Sequence, residues 1–532
     1  MSWRVYFLLG LFGFLLACAI SAAQHSPGYM DADYYYSGGL RLAQGRGFSE
    51  QLLWNYLDDP AGLPHPSHGY WMPLTSILAA GGMALLNRLD FFAARLPFIL
   101  IAGLIPPLTA ALAWRLARRK NLAILAGAFA LFSGFYLPYV ATTDIFGAYM
   151  LLGGVFFLLV PAEAGAAQAT PPRTWINFAA LGLIAGLMHL ARADGMIWLV
   201  TALAAVWLYW LKHKQTAQPG SVWLNGLACA AGYLLVMLPW FARNLAEFGT
   251  FLSPGGSRAL WIREYDELFS FPASQLTLAR WWGGGLGAIL RTRLWAFGQN
   301  LLSTLAVQAE IFLAPLILLG MWRLRADLRT RLAALAWALT FLAMTLPFPF
   351  QGVRGGFFHS GSALQPFFWA AAPVGLERLL EFGSRLRGWR MSEARRFFAI
   401  GLVALAVCLS AFVTYNRLFS AGSNKETWDA SNRRYAALES YLRETGAAPA
   451  EVVMVNNSPG YFAAAGRPAV SIPFGDTQTV CAAAQRYNAG FLLLEIDQIK
   501  GGADLFAAPG DRLCLRYLAT FEDVRLFEIT LP

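Results

Sequence analysis

Tyr70–Leu86 reads YWMPLTSILAAGGMALL. The run is apolar enough to cross a bilayer, yet it holds Pro73, Thr75, Ser76 and the Gly81-Gly82 pair. If it crosses, every later loop changes side. Charge decides the case. Suppose the run lies along the membrane surface and the N-terminus is inside. The cytoplasmic loops are then Arg115–Lys120 (RLARRK), the segment with Arg173, Lys212–Lys214 (KHK), Arg323–Arg331 (RLRADLRTR) and Arg385–Arg396. The short outer loops carry one Arg each, Arg192 and Arg354, and none near Thr142–Asp144. A crossing at Tyr70–Leu86 would put the basic loops outside, against the positive-inside rule for short loops.

The chain outward from this run is apolar throughout. Of 532 residues, 57% are hydrophobic and 14% charged, against roughly 45–50% and about 25% in soluble proteins. Mean hydropathy is +0.47, which excludes a soluble multidomain chain. The net charge of +10 follows the basic loops and does not call for nucleic acid. Phe7–Ala23 reads as an uncleaved first span, the alternative being a signal peptide cleaved after Ser21-Ala22-Ala23. Further runs of near-spanning length cover 90–114, 121–139, 145–161, 176–190, 195–211, 222–240, 299–321, 331–349, 363–379 and 397–416. The expected fold is a polytopic α-helical membrane protein of about eleven spans, residues 1–420, with outer loops 24–89 and 241–299.

The remainder, 421–532, changes character. It reads as a helix at Trp428–Glu444, a strand at Glu451–Asn456 and a turn at Asn457-Ser458-Pro459-Gly460. A helix at Thr477–Asn488 follows, then strands at Gly490–Glu495, Leu513–Ala519 and Val524–Leu531. Alternating strands and helices predict a small α/β domain, outside on this topology. Cys481 and Cys514 both fall there; an oxidising compartment permits a bridge, but spacing does not show that they meet.

An ionisable group is costly in a bilayer, and here such groups gather at the outer ends of spans. Asp31 and Asp33 lie in YMDADYYY (29–36), where carboxylates suit a general base or metal ligands. His65 and His68 stand three apart in HPSHGYWMP (65–73), as ligands, as phosphate donors or as parts of a rigid turn. Asp144 opens a span, where a carboxylate also serves as a helix cap. Arg192, Arg243, Arg354 and His359 sit at outer rims, and guanidinium groups suit a lipid phosphate through paired donors. No P-loop, HExxH or paired CxxC competes.

Taken in order, these motifs resemble the GT-C glycosyltransferases, near the protein O-mannosyltransferase and aminoarabinose transferase group. The resemblance rests on Asp31 after the first span, AQGRGF (43–48), YWMPL (70–74), ARLP (94–97), Asp144, LARADG (190–195) and Pro239-Trp240 with Arg243-Asn244. In the tail it rests on Val453–Ser458, Tyr461, GRPAV (466–470) and Pro473. It implies transfer, with inversion, of a sugar from a polyprenyl-phosphate donor to a protein, lipid or glycan hydroxyl. Asp31 matches the first-loop catalytic aspartate and Asp144 the second-loop acidic position. Relatives often have adjacent acidic residues where Ala32 separates Asp31 from Asp33. Some members use a divalent cation and others none; Asp31, Asp144 and His65, or His68 in its place, are the expected ligands.

The implied setting is the inner or plasma membrane of a bacterium, with the C-terminal domain extracytoplasmic and membrane lipids around the spans. The alternatives are a lipid-linked-sugar transporter or flippase, and a non-catalytic membrane scaffold. Transporters place polar sites mid-membrane within internal repeats, and no repeat is visible. Reporter fusions after Lys120, Lys214 and Arg331 are expected to report cytoplasm, and fusions after Asp144, Asn244 and Pro532 the outside. A cytoplasmic C-terminus would overturn this topology.

Overall fold

A computed structural model describes residues 1–161, 174–215, 220–421, 426–496 and 502–530. Arg173 and Pro532, used above as topology markers, lie outside these residues. The chain divides into two compact units.

The first unit holds Met1–Ala23, Pro97–Arg243 and Arg293–Leu418 and is helical. Among the described residues of the whole chain, six helices are long and apolar enough to span a membrane: Trp3–Ser21, Phe91–Ala117, Thr174–Ala191, Ala193–His213, Ser221–Phe248 and Met391–Phe419. Leu328–Thr345 and Pro349–Arg387, bent by 112° at their junction, make a seventh if taken as one span. The other expected spans fall on shorter or broken helices. The run 121–139 stops being regular α-helix at Leu131, with Gly134 at φ 56. The run 299–321 is broken by a π-helical turn, Thr304–Gln308, before Ala314–Arg323. Hydropathy alone does not register such breaks, because an irregular apolar turn scores like a helical one.

Helices in this unit meet at glycines. A Cβ on Gly153 would fall 1.9 Å from the Ala363 carbonyl oxygen, and one on Gly375 1.9 Å from that of Leu316. With apolar side chains no better solvated by each other than by lipid, close backbone packing carries helix association.

The second unit joins Gln24–Leu96, Asn244–Thr292 and Phe419–Pro532. Its strands are β1 (Ser49–Glu50), β2 (Leu52–Leu53), β3 (His65–Pro66), β4 (Val452–Val455), β5 (Ala469–Ser471), β6 (Ala489–Leu494), β7 (Leu515–Phe521) and β8 (Val524–Ile529). β1 and β3 pair antiparallel; the others form a sheet ordered β2-β5-β4-β6-β8-β7. The first four of that order run parallel, and β8 and β7 close it antiparallel. The edge strand β2 comes from the first outer loop, with Leu52 opposite Ala469. A two-residue strand is too short for alternation to reveal it. β5, only three residues long, also escaped the strand pattern.

Tyr435, Leu438 and Leu442 of the helix Ala430–Glu444 pack on Val453, Phe491, Leu493 and Leu526 of the sheet. The expected turn at Asn457–Gly460 is instead a helix start. Asn457 caps Ser458–Ala465 by accepting from the Gly460 N–H at 3.0 Å, and Pro459 fits the first turn. Arg467, almost wholly buried, makes a two-pronged pair with Glu439, Nε–Oε2 2.7 Å and Nη2–Oε1 3.1 Å.

The run that decided the topology is a helix, Leu74–Leu86, of 13 residues. At 1.5 Å per residue that is about 20 Å, short of the ~30 Å hydrocarbon core. It packs on Met30–Ala43, where a Cβ on Gly39 would come within 2.7 Å of Ala79 Cβ.

Cys481 and Cys514 form a disulfide, with Cα atoms 5.9 Å apart. It ties the helix Thr477–Tyr487 to the segment entering β7. A peptide map without reductant is expected to recover the linked pair. For a loop of 33 residues, Cys481→Ser should lower the stability of this unit by about 2–4 kcal/mol; free thiols in oxidised material would remove the bridge.

Candidate functional site

In the second unit the chain leaving the first span is tied down before it reaches Asp31. Asp429 accepts hydrogen bonds from the N–H of His25 (3.1 Å), the N–H of Ser26 (2.9 Å) and the Ser26 hydroxyl (2.7 Å). Trp428 donates its indole N–H to the Ser26 carbonyl at 2.9 Å and covers Gly28. Gly28, at φ 90, leaves no room for a side chain: an added Cβ would lie 2.3 Å from the Trp428 ring. This clamp sets the start of the helix Met30–Ala43, whose first turn holds Asp31 and Asp33. Both carboxylates therefore sit at the positive end of a helix dipole.

The two aspartates differ sharply. Asp31 is half-buried. Asp33 is buried and accepts from the Asn457 side-chain N–H at 3.2 Å. Burial strips water from the Asp33 carboxyl and pushes its pKa up to about 7; the Asn457 bond pulls the other way, and the Asp31 charge adds to the rise. Ala32 places its neighbours on different faces of the helix turn.

His65 and His68 are loop-organising groups in this structure. His65 Nε2 lies 3.3 Å from Glu50 Oε1 and Nδ1 lies 3.5 Å from Asp58 Oδ2, all three side chains being buried. Burial raises the Asp58 pKa, with His65 opposing the rise. His68 is fully buried, and its ring nitrogens meet the Ser67 and Ser76 hydroxyls at 2.7 and 3.1 Å. Its backbone N–H donates to the Tyr34 hydroxyl at 2.9 Å. Trp71 stacks on Trp54 at 4.1 Å and meets Tyr34 edge-on. The YYY and HPSHGYWMP motifs are thus largely the core of one loop.

In the first unit, Asp144 caps the helix Ile145–Leu159, with Oδ1 accepting from the Ile145 N–H at 2.5 Å. Its other oxygen lies 3.2 Å from His359 Nε2, and Asp144 is wholly buried. The His359 ring stacks on Phe146 at 4.3 Å. Its Nδ1 is 2.8 Å from the Gly355 carbonyl. A carbonyl can only accept, so Nδ1 carries the hydrogen and Nε2 is turned to Asp144. Either a shared proton or a cation satisfies both Asp144 Oδ2 and His359 Nε2.

Unusual backbone places His359. Gly352–Gly356 is a π-helical turn with a kink at Arg354 and Gly355, the latter at φ 122. Such turns recur at functional sites. The turn is held on its far side by Asp194, which accepts from Arg192 Nε at 2.8 Å and from the Ser360 hydroxyl. The Ser360 oxygen also lies 2.9 Å from the Gly356 carbonyl, which shares its single hydrogen. Arg192 is therefore tied to this turn, and Arg354 is exposed at the kink. Arg243 lies over the Trp240 ring at 4.8 Å, a cation–π contact.

Sequence reasoning singled out Asp144 and His359 separately but did not pair them; His65 was expected beside Asp144, and the structure sets His359 there. Asp194 and Ser360 were missed as supports, although Asp194 stands in the LARADG motif. Nothing in the sequence signals that Phe146 stacks on His359.

No family model and no curated protein matches this sequence. Solved structures do. The oligosaccharyltransferase of Archaeoglobus fulgidus in its apo form superposes with a TM-score of 0.59 at 14% identity, over 93% of this chain and 70% of that one. ArnT of Cupriavidus metallidurans, an aminoarabinose transferase, superposes with a TM-score of 0.53 at 12% identity, over 98% and 97%. The fold is shared with these two proteins. The archaeal enzyme has also been solved with an inhibitory peptide and a dolichol-phosphate (TM-score 0.57, 15% identity, 93% and 70% covered). A complex of it with Zn and sulfate superposes with the same score and identity, over 93% and 68%.

The Asp33 shift has a measurable consequence. The folded carboxyl keeps its proton to about pH 7, whereas an unfolded aspartate releases it near 3.8. Between these values the folded state binds more protons, so stability falls as pH rises, and the full penalty is present above pH 7. Thermal unfolding of Asp33→Asn should depend less on pH than that of the parent across this window. Identical pH profiles would mean that Asp33 is not held protonated.

Proposed function

We propose that this protein is an inverting glycosyltransferase that moves a sugar from a polyprenyl-phosphate donor to an acceptor hydroxyl at the extracytoplasmic face. The observation that carries the reading is the Asp144–His359 pair, a helix-capping carboxylate facing an imidazole of set orientation, in a fold whose solved members are glycosyltransferases. The dolichol-phosphate bound by the archaeal enzyme supports a lipid-borne donor.

Asp31 is the proposed general base. It accepts the proton of the acceptor hydroxyl as that oxygen attacks the anomeric carbon. The bond from that carbon to the phosphate oxygen breaks, and polyprenyl phosphate leaves with the bonding electrons. Arg192, Arg243 and Arg354 are proposed to donate hydrogen bonds to the phosphate, with guanidinium geometry suited to it. Asp33 stays neutral below about pH 7 and positions Asp31. His65 and His68 act indirectly, by holding the loop.

Asp144 and His359, facing each other within the first unit, are the proposed holders of a divalent cation. A carboxylate oxygen and an imidazole nitrogen form a mixed pair suited to a metal such as zinc, and the Gly355 carbonyl orients His359 as outer-shell acceptors do for metal-bound imidazoles. When bound, such an ion would supply charge neutralisation to the leaving phosphate.

The proposed setting is a bacterial inner membrane, with eleven crossings, a cytoplasmic N-terminus and an extracytoplasmic 421–532 domain. The Cys481–Cys514 bridge supports an oxidising compartment for that domain.

The test is to incubate the purified protein in lipid with a panel of polyprenyl-phosphate sugars and to measure released lipid phosphate. Asp31→Asn, with membrane insertion intact, should lower turnover by about 10²–10⁴-fold while donor binding persists. His359→Ala should change the dependence on added divalent cation. Parental turnover in Asp31→Asn would move the base elsewhere. Parental function in the absence of release from any donor would favour a transporter or scaffold.

A further inference from the structure

Within the first unit, away from the Asp144–His359 pair, lies a buried carboxylate that the proposed reaction does not use. Glu310 is 1% exposed. It sits where the π-helical turn Thr304–Gln308 gives way to the helix Ala314–Arg323. The backbone at this break is unusual: Glu310 and Ile311 are both left-handed, at φ 47 and 59. A β-branched residue in that region is a strained exception, and such strain gathers at ligand sites.

Glu310 Oε1 accepts from the Trp369 indole N–H at 2.8 Å. Among the described residues no Lys, Arg or His is paired with Glu310, and its Oε2 has no hydrogen-bond partner. Two carboxamides share its surroundings. Gln308, 1% exposed, precedes it by two residues, and both its amide atoms lack partners. A Cβ on Gly361 would run into the Gln308 amide nitrogen at 2.1 Å. Gln365, fully buried, lies one helical turn before Trp369, and the Tyr136 hydroxyl neighbours both Gln365 and Glu310. On the remaining side Gly134, at φ 56, brings bare backbone against the Glu310 side chain.

We propose that Gln308, Glu310 and Gln365 form a binding site for one alkali-metal cation inside the helical unit. The ligand class follows from charge and donor type. An isolated carboxylate in an apolar interior is costly unless a positive charge reaches it. The side chains here supply one negative charge and otherwise neutral amide and hydroxyl oxygens. A monovalent ion balances that charge; a divalent ion would leave an excess positive charge in a low-dielectric interior. Carboxylate and amide oxygens are hard donors, suited to sodium or potassium rather than to a soft metal. A broken helix is also where membrane proteins place small cations. The Tyr136 ring stacks on Phe358, next to His359, at 4.5 Å. The ion would thus brace the element that carries His359 without touching it. This proposal stands independently of the glycosyl-transfer reading.

The test uses the full-length protein in sodium, potassium and N-methylglucamine chlorides at equal ionic strength. Two quantities are read: the thermal midpoint, and the rate at which a hydrophobic carbodiimide labels Glu310, mapped by peptide mass. Sodium or potassium is expected to raise the midpoint and slow the labelling, saturably, relative to N-methylglucamine. Glu310→Gln should lose the midpoint shift. If that variant fails to fold, Gln308→Met keeps the carboxyl and should weaken cation protection of Glu310. A midpoint and a labelling rate indifferent to both alkali cations in the parent would overturn the proposal and leave Glu310 as a protonated carboxyl. A cation effect that persists undiminished in Glu310→Gln or Gln308→Met would place the ion elsewhere and overturn it equally.

Discussion

The Asp429 carboxylate gathers the His25 N–H and ring nitrogen and the Ser26 N–H and hydroxyl, and the second unit depends on that clamp. A loop leaving a span is ordinarily free to sample many conformations, and ordering each residue costs about 1–2 kcal/mol of backbone entropy. Here the tail meets that cost at the point where the loop begins. Trp428 seals Gly28, and Asn457 reaches Asp33. β2 then joins the tail's sheet beside β5. Asp31 stands on a helix whose start is held by residues some four hundred positions away and is accordingly placed by the tail.

Polar groups in this protein are spent in two ways. Some serve architecture, as in the Glu439–Arg467 pair and the His65 ring between Glu50 and Asp58. Others pair with one another while a second local contact fixes their orientation. Asp144 gives one oxygen to its helix and the other to His359. The same economy governs His359, whose Nδ1 is committed to Gly355. A buried group with one valence satisfied locally is held in orientation without being used up, which suits preorganised electrostatics.

Backbone irregularity accompanies both polar centres of the first unit. The Gly352–Gly356 turn bends the chain so that His359 faces Asp144, and the break at Glu310 and Ile311 points a carboxylate inwards. A regular helix would send these side chains round its axis at fixed spacing. The bends replace that spacing with a direction.

What the sequence by itself determined was carried by local quantities. Apolar run length and the Arg/Lys asymmetry identified a polytopic helical protein and left Tyr70–Leu86 off the list of spans, because lipid rejects charge and rewards about twenty apolar residues wherever they occur. Short apolar runs bounded by turn residues revealed β4, β6 and β8 within a residue or two. Asp31, Asp144 and His359 were visible as polar residues beside apolar runs. Tertiary structure decided the rest, because it depends on contacts between residues far apart in the chain. His359 meets Asp144 across more than two hundred residues, through a kink that only Gly355 permits. β2 is two residues long and exists because β5 is there to pair with it. Asp33 and Asp31 look alike in YMDADYYY; burial against Asn457 makes one nearly neutral, while the other stays half-open to solvent. Solvation is a property of the folded surroundings, and no spacing of letters encodes it.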